Sequence, residues 1–403
     1  MLSGVQLHAS SRLLLAIAYV GFISLGLPDS VAGVAWPSIR DTFELHQSSF
    51  GLIFIGLGCG YCTSSILGGT LTRVLGLGNL LWISSGLVGI AMLLIGVSPA
   101  WPMIVACSAI WGLGSGGIDT GLNSYASNHF SARHMNWMHA CYSLGATFGP
   151  LIMTATILRA SSWRIGYELV GGLLLIMASL FLVTRDQWFV SPSDPNRPAP
   201  QSVSIKAILS DSLVWLHIIV FFLYVGIEFT VGQWCFTLLS ESRGVRSDVA
   251  GGLSGSYYAS IGIGRILAGI VAHRVGLDRL LRFATGTVLF GSVLFAFGSP
   301  MAVSSAGLFI IGFGLAPIFP CLMTRTPQRL GVEYSIHAIG FQASAGIIGA
   351  ATVPGLAGLL AESMGLAVVA QFVIVASALM LITHELVIAV ASHRHTVTGV
   401  GHS

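Results

Sequence analysis

Twelve apolar stretches determine what this chain can fold into. Each is long enough, as a helix, to cross a hydrocarbon layer of roughly 30 Å. The connections between them are short except for the one that follows the sixth stretch. We expect membrane helices near residues 13–36, 48–72, 78–97, 101–128, 136–158, 164–184, 213–239, 249–272, 279–298, 303–323, 335–361 and 366–391.

The composition excludes a water-soluble fold. The chain has 403 residues, of which only 18 are Lys or Arg and 15 are Asp or Glu. This charged fraction is 8%, against roughly 25% in an ordinary soluble domain. Because too few polar residues are present to cover a globule of this size, we expect an all-α polytopic membrane protein. A soluble enzyme, a nucleic-acid-binding protein and a disordered scaffold are excluded.

The stretch of residues 185–212 separates two halves of the chain. It contains four prolines and several charged residues, so we expect a cytoplasmic linker between two six-helix bundles, residues 1–184 and residues 213–403. With the N-terminus placed in the cytoplasm, twelve Lys and Arg residues in or next to the loops and tails fall on the inner side and five on the outer side. This excess of positive charge predicts that both termini are cytoplasmic.

The two halves resemble each other at a constant offset of 200 residues. The pairs that superpose include Gly69 with Gly269, Gly76 with Gly276, Gly112 with Gly312, and Gly149 with Gly349. A single offset across several helix pairs indicates a parallel duplication of six helices, as in the major facilitator fold.

Four ionisable residues fall well inside the predicted spans, where a charged side chain costs roughly 2.5–3.5 kcal/mol. They are Asp29, Asp119, Glu228 and Arg265. A carboxyl group desolvated in an apolar cavity can exchange its proton near neutral pH, so we expect proton coupling at the three acids. The alternative is that they pair with an internal base and hold helices together. For Arg265 we expect a structural role near the cytoplasmic side.

Polar and aromatic side chains inside the spans predict a binding site for a hydroxyl-rich solute. Asp119 and Asn123 are four residues apart, so they share one helix face and present a carboxyl and an amide together. Aromatic rings beside amide groups suit a sugar ring, because they combine apolar stacking with directed hydrogen bonds. For each of these residues, the alternative to solute binding is a role in helix packing or in anchoring the helix at the membrane interface. The other candidates are His139, Tyr142, Gln233, Trp234, Tyr257, Tyr258 and Gln342.

In the fourth predicted helix, the run from Gly112 to Asn123 reads Gly-Leu-Gly-x-x-x-Ile-Asp-Thr-x-x-Asn. In the first helix Asp29 follows Leu-Pro, and in the eighth Gly264 precedes Arg265. These features resemble the fucose–proton symporter branch of the major facilitator superfamily, over nearly the whole chain. In that branch a first-helix Asp and a fourth-helix acid carry proton coupling and sugar contact. The resemblance implies these roles for Asp29 and Asp119, and two halves that rock about a midplane site so that access alternates.

The sequence departs from that branch where the solute would bind. The fourth-helix acid of the branch is Glu rather than Asp119, and His139 and Tyr142 replace Gln and Asn in the fifth helix. The loop after the second helix follows the branch, with Arg73 where other facilitators have Asp. We expect gating or structural roles for Arg73 and for the four loop glycines, Gly69, Gly76, Gly269 and Gly276.

We therefore expect a secondary active transporter, not an enzyme, that imports a monosaccharide or a similar polyhydroxylated solute with protons. Gly145-x-x-x-Gly149-Pro150 keeps open a proton-driven drug or metabolite exporter of the same fold, and a sodium-coupled or facilitated sugar carrier is a further alternative. We expect no cofactor, no metal and no nucleic acid. The expected partners are the solute, protons and the lipid bilayer. We expect the protein to work as a monomer in a bacterial inner membrane.

Overall fold

The computed structural model describes residues 9–130, 132–188 and 205–398, and most of them are helical. The prediction of an all-α protein is confirmed. The α-helices, in chain order, are α1 (Ala9–Asp29), α2 (Val31–Phe43), α3 (Phe50–Leu75), α4 (Leu77–Gly96), α5 (Trp101–His129), α6 (Ala132–Ala160), α7 (Trp163–Thr184), α8 (Ile205–Leu209), α9 (Ser212–Thr237), α10 (Ser247–Val275), α11 (Leu277–Ala296), α12 (Met301–Leu315), α13 (Ile318–Leu330), α14 (Val332–Met364) and α15 (Val368–Thr398).

Eleven helical stretches among the described residues are long and apolar enough to cross a membrane, and they coincide with eleven of the twelve predicted spans. The remaining predicted span, residues 249–272, lies in α10. This helix has 29 residues, which is sufficient length, but Gly, Ser and Tyr residues and Arg265 lower its hydropathy. Of the predicted linker, residues 189–204 lie outside the described residues.

Two of the spans are interrupted next to a proline. The first is split between α1 and α2 at Ser30, two residues after Pro28, and the tenth is split between α12 and α13 at Ala316 and Pro317. A proline nitrogen cannot donate to the helical hydrogen-bond ladder, and its ring disturbs the preceding turn. The interruption places Asp29 at the last residue of α1, where the helix ladder ends.

The described helices group into two compact units. Unit 1 takes its described residues from Met1–Ala35 and Gly56–Pro192, and unit 2 takes them from Trp36–Ile55 and Ser193–Ser403. The segment Trp36–Ile55 therefore packs with the helices of unit 2. The bundle boundaries at residues 184 and 213 stay a prediction.

Aromatic and polar contacts fix the segment Trp36–Ile55 within unit 2. The ring of Phe50 meets the edge of Trp234 at a centroid distance of 5.3 Å. Arg40 donates two hydrogen bonds to the carboxylate of Glu241, at 2.9 and 3.0 Å. The backbone N–H of Gln47 donates to Glu362 at 2.7 Å. Unit 2 thus holds this segment by several independent contacts.

Glycines let helices within unit 1 touch backbone to backbone. A Cβ atom added at Gly145 would lie 2.0 Å from the carbonyl oxygen of Ile23, and one at Gly112 would lie 2.0 Å from that of Leu57. Real side chains do not tolerate such distances. The sequence therefore packs α6 directly on α1, and α5 directly on α3, and these contacts bring the polar side chains of neighbouring helices together.

The internal repeat recurs in equivalent contacts inside each unit. In unit 2 a Cβ atom at Gly312 would lie 2.6 Å from the carbonyl oxygen of Tyr257. Both residues of this contact follow those of the Gly112–Leu57 contact in unit 1 by 200 residues. Gly76 and Gly276 precede α4 and α11 with φ values of +78° and +83°. Glycine adopts this conformation without the strain that a side chain would add.

Candidate functional site

Asp119 lies in α5 of unit 1 and accepts two hydrogen bonds. The hydroxyl group of Tyr61 in α3 donates to its Oδ2 at 2.6 Å. Asn123 Nδ2 donates to its Oδ1 at 2.8 Å, as the four-residue spacing on one helix face predicts. Tyr61 reaches the acid because α3 lies close to Gly116, whose added Cβ would stand 2.7 Å from the Tyr61 carbonyl oxygen. Each oxygen of the carboxyl group therefore has its own donor.

Asp29 lies near Asp119 in the same unit. The hydroxyl group of Tyr142 in α6 donates to Asp29 Oδ2 at 2.8 Å. The two carboxyl groups are close enough to interact electrostatically, and the indole of Trp111 also interacts with Asp29. The Nε1–H of Trp111 nevertheless completes no hydrogen bond with any described residue, although the side chain is 1% exposed. Two acids, two tyrosines and one indole thus form a connected polar cluster.

This cluster has the chemistry to bind a proton or a hydroxyl-bearing ligand. An ionised carboxylate accepts about four hydrogen bonds over its two oxygens, so one tyrosine donor leaves acceptor capacity on each acid. A protonated carboxyl group becomes a donor instead. Among the described side chains, no Lys or Arg forms an ion pair with Asp119. An acid of this kind inside a membrane helix is by default a candidate for a functional role.

Glu228 of α9 lies in unit 2 and has a basic partner. Arg265 Nη2 is 3.6 Å from Glu228 Oε1, and both side chains are largely buried. Tyr257 donates its hydroxyl to the backbone carbonyl of Glu228 at 2.9 Å, while the buried ring of Tyr224 lies beside both charged groups. Glu228 therefore has an internal base within ion-pair distance, and its role in proton coupling stays a prediction.

Two of the predicted binding residues are hydrogen-bonded inside the packing of unit 2. The indole Nε1–H of Trp234 donates to the carbonyl of Pro354 at 3.0 Å. Gln342 Nε2 donates to the hydroxyl oxygen of Thr326 at 3.0 Å, and the Thr326 hydroxyl group lies 3.1 Å from Gln342 Oε1, to which it can donate. Their polar atoms hold α9, α13 and α14 together.

The remaining predicted binding residues are divided between the two units. In unit 1, the ring of His139 meets Phe22 edge-on at a centroid distance of 5.2 Å. In unit 2, the side chains of Gln233, Tyr257 and Tyr258 are all buried. The Tyr258 hydroxyl packs against Gly232, where an added Cβ atom would stand 2.1 Å away.

The loop residues occupy more open positions. Arg73 is exposed near the end of α3. Gly69 and Gly269 face open space, since an added Cβ atom at either would meet nothing within 4 Å. Neither glycine is therefore in close contact with a neighbouring helix of its unit.

Sequence reasoning missed Tyr61 and Trp111. Each reaches an acid through a contact between two helices, which spacing along one chain does not reveal. The signal available for Trp111 is its position eight residues before Asp119, a little over two helical turns. For Tyr61 the sequence holds no comparable signal.

Two repeated helical units with acidic residues inside their spans are typical of a multi-pass membrane transporter. Residues 18–346 match the family Major Facilitator Superfamily, and the chain belongs to that superfamily. Its members are transporters and not enzymes, so this chain transports a solute.

Several relatives are similar over most of this chain. Bypass of stop codon protein 6 of Saccharomyces cerevisiae is 22% identical over 86% of this chain and 76% of its own length. Glucose/mannose transporter GlcP of Bacillus subtilis is 20% identical over 76% of this chain and 78% of its own. Human sodium-dependent glucose transporter 1 is 24% identical over 61% of this chain, which spans 54% of that relative.

A solved structure has the same fold. A mutant of the nucleoside transporter NupG superposes with a TM-score of 0.77 at 13% sequence identity, covering 93% of this chain and 99% of that one. At this identity the likeness shows the fold alone.

Proposed function

We propose that the protein is a proton-coupled symporter for a monosaccharide or a similar polyhydroxylated solute, working by alternating access. The observation that carries the proposal is the unit 1 cluster, in which Asp29 and Asp119 each accept a tyrosine hydroxyl and lie within electrostatic reach of each other. The proposal includes a bacterial inner membrane and cytoplasmic termini, which the excess of inner Lys and Arg supports.

Coupling follows from the two protonation states of the cluster. A proton taken up by one acid relieves the repulsion between the two carboxylates and converts an acceptor into a donor. A solute hydroxyl group can then accept from the protonated acid and donate to the other acid or to Asn123 Oδ1. By thermodynamic linkage, proton and solute raise each other's affinity by the same factor.

The names of the relatives support a sugar as the solute. GlcP is called a glucose/mannose transporter, and the human relative is called a sodium-dependent glucose transporter. The second name also favours a second candidate, sodium-coupled sugar transport. Asp119, Asn123 and Tyr61 supply only oxygen atoms and an amide, and oxygen is the ligand that hard cations prefer. Dependence of sugar binding on sodium rather than on pH would favour this candidate.

Ligand-dependent thermal stability of the detergent-purified chain tests the proposal. A ligand that binds the folded state stabilises it by about 2.7 kcal/mol at 100 times its Kd. We expect a raised melting temperature with one or a few monosaccharides, a dependence of that shift on pH, and its loss in Asp119→Asn. The matched control is Asp211→Asn, since Asp211 belongs to unit 2 and accepts the backbone N–H of Leu213 at the start of α9, which an asparagine oxygen also accepts.

The panel of ligands also separates the alternatives. Shifts that appear only with large apolar cations would contradict sugar transport and favour the exporter. Equal sugar-induced shifts in Asp119→Asn and the parent chain would show that Asp119 takes no part in binding.

A further inference from the structure

A cavity lies at one end of unit 2, where α11 begins and α13 and α15 approach their C-terminal ends. Its polar side is lined by Asp278, Arg325, Gln328 and Arg329, and its apolar side includes Ile388 and Ala391 of α15. It is separate from the Asp29–Asp119 cluster, which belongs to unit 1.

The polar side of the cavity has more positive than negative charge. Arg325 Nε and Arg329 Nη2 each donate to Asp278 Oδ1 at 2.8 Å, and Arg325 also donates to Asp278 Oδ2. Two guanidinium groups therefore share one carboxylate. Because the side chain of Arg329 is only 3% exposed, water screens this excess charge poorly.

No described acidic side chain nearby supplies the missing negative charge. Glu385 is already paired with Arg282, through Arg282 Nη2 at 2.7 Å. Arg274 and Arg279 are exposed beside the start of α11 and add further positive charge. The group next to Arg329 is His217, whose Nε2 lies 3.4 Å from Arg329 Nη1, and a histidine ring supplies no negative charge.

The cavity also offers hydrogen-bond donors. Gln328 Oε1 accepts from Arg325 Nη1, while the Gln328 amide nitrogen donates to no described residue. Guanidinium groups match the planar, multidentate geometry of phosphate oxygens better than that of a spherical anion. An excess cation, a free amide donor and a partly apolar wall together fit a phosphate group attached to an apolar molecule.

We propose that this cavity binds the phosphate group of an anionic phospholipid. The polar side lies at the end of the spans, at the level of the headgroups, and basic pockets between membrane helices bind such headgroups. Arg325 and Gln328 donate to the phosphate oxygens. Ile388 and Ala391 contact the start of the acyl chains, beside Leu386, which is 49% exposed on α15.

Titration of delipidated full-length protein with phosphatidylglycerol, phosphatidylcholine or inorganic phosphate, followed by melting temperature, tests this proposal. We expect phosphatidylglycerol to raise the melting temperature in a saturable way and phosphatidylcholine to have little effect. Gln328→Glu keeps an oxygen that accepts from Arg325 but removes the amide donors and adds a negative charge. Its apparent affinity for phosphatidylglycerol should fall by about tenfold or more. Because Gln328 is exposed, this variant should fold.

The matched control is Arg246→Gln, which removes one positive charge at an exposed position of unit 2 outside the cavity. It should leave the affinity for phosphatidylglycerol almost unchanged. Equal effects of the two variants, or equal stabilisation by the two lipids, would overturn the proposal. If inorganic phosphate alone reproduces the stabilisation and Gln328→Glu abolishes it, the site belongs to a soluble phosphate-bearing ligand and the lipid assignment is wrong.

Discussion

The ion pair between Glu228 and Arg265 allows a quantitative test of how unit 2 is held together. The two groups are 3.6 Å apart with side-chain exposures of 10% and 14%. Coulomb's law with an effective dielectric constant of about 20 gives an attraction of about 4.6 kcal/mol at this distance. Desolvation of both ions offsets much of this energy in the intact pair, but removal of one partner leaves the other charge buried and costs about 3–5 kcal/mol.

Arg265→Gln and Glu228→Gln should therefore each lower the free energy of unfolding by about 3–5 kcal/mol, measured by denaturant titration in mixed micelles. The double variant should be destabilised by less than the sum, with a coupling energy of about 3 kcal/mol. Arg282→Gln, in the exposed pair with Glu385, serves as the control and should change stability little. A coupling energy below about 0.5 kcal/mol would refute the reasoning.

Three further outcomes follow from contacts in the two units. Tyr142→Phe removes the donor to Asp29 and should shift the pH profile of solute binding, measured by ligand titration across pH, while a profile identical to that of the parent chain would contradict a role for this contact. Gly145→Leu places a side chain where a Cβ atom would already meet a backbone carbonyl of α1 at 2.0 Å, and should lower the free energy of unfolding by about 1–3 kcal/mol or prevent folding. Trp234→Phe removes the indole donor to the backbone carbonyl of Pro354 and should lower the free energy of unfolding by about 1–3 kcal/mol, while an unchanged melting temperature would contradict a role for this bond.

The helices of this protein are predictable from sequence because their signal is local. Each apolar run has to span the membrane by itself, so its length and hydropathy suffice. The interruption of the first span at Ser30 was not predicted, although Pro28 is visible in the sequence, because proline is tolerated inside many membrane helices. The lower hydropathy of α10 comes from residues such as Arg265 that face unit 2 partners and not lipid.

The candidate site is only partly predictable, since its contacts run between helices. The pairing of Asp119 with Asn123 follows from their spacing on one helix. The donors Tyr61 and Tyr142 come from other helices, and only the close glycine contacts of α3 and α6 bring them to the two acids. Arg265 was visible as an internal base, but nothing in the sequence assigns it to Glu228.

Proton movement in reconstituted vesicles is the most direct test of the central claim. The protein is reconstituted into sealed liposomes without a membrane potential, a monosaccharide gradient is imposed, and the internal pH is followed with a trapped fluorescent dye. We expect sugar entry to acidify the lumen in the parent chain and in Asp211→Asn, and no acidification in Asp119→Asn. Sugar uptake that leaves the internal pH unchanged in the parent chain, or acidification that persists in Asp119→Asn, would contradict proton coupling at the unit 1 cluster.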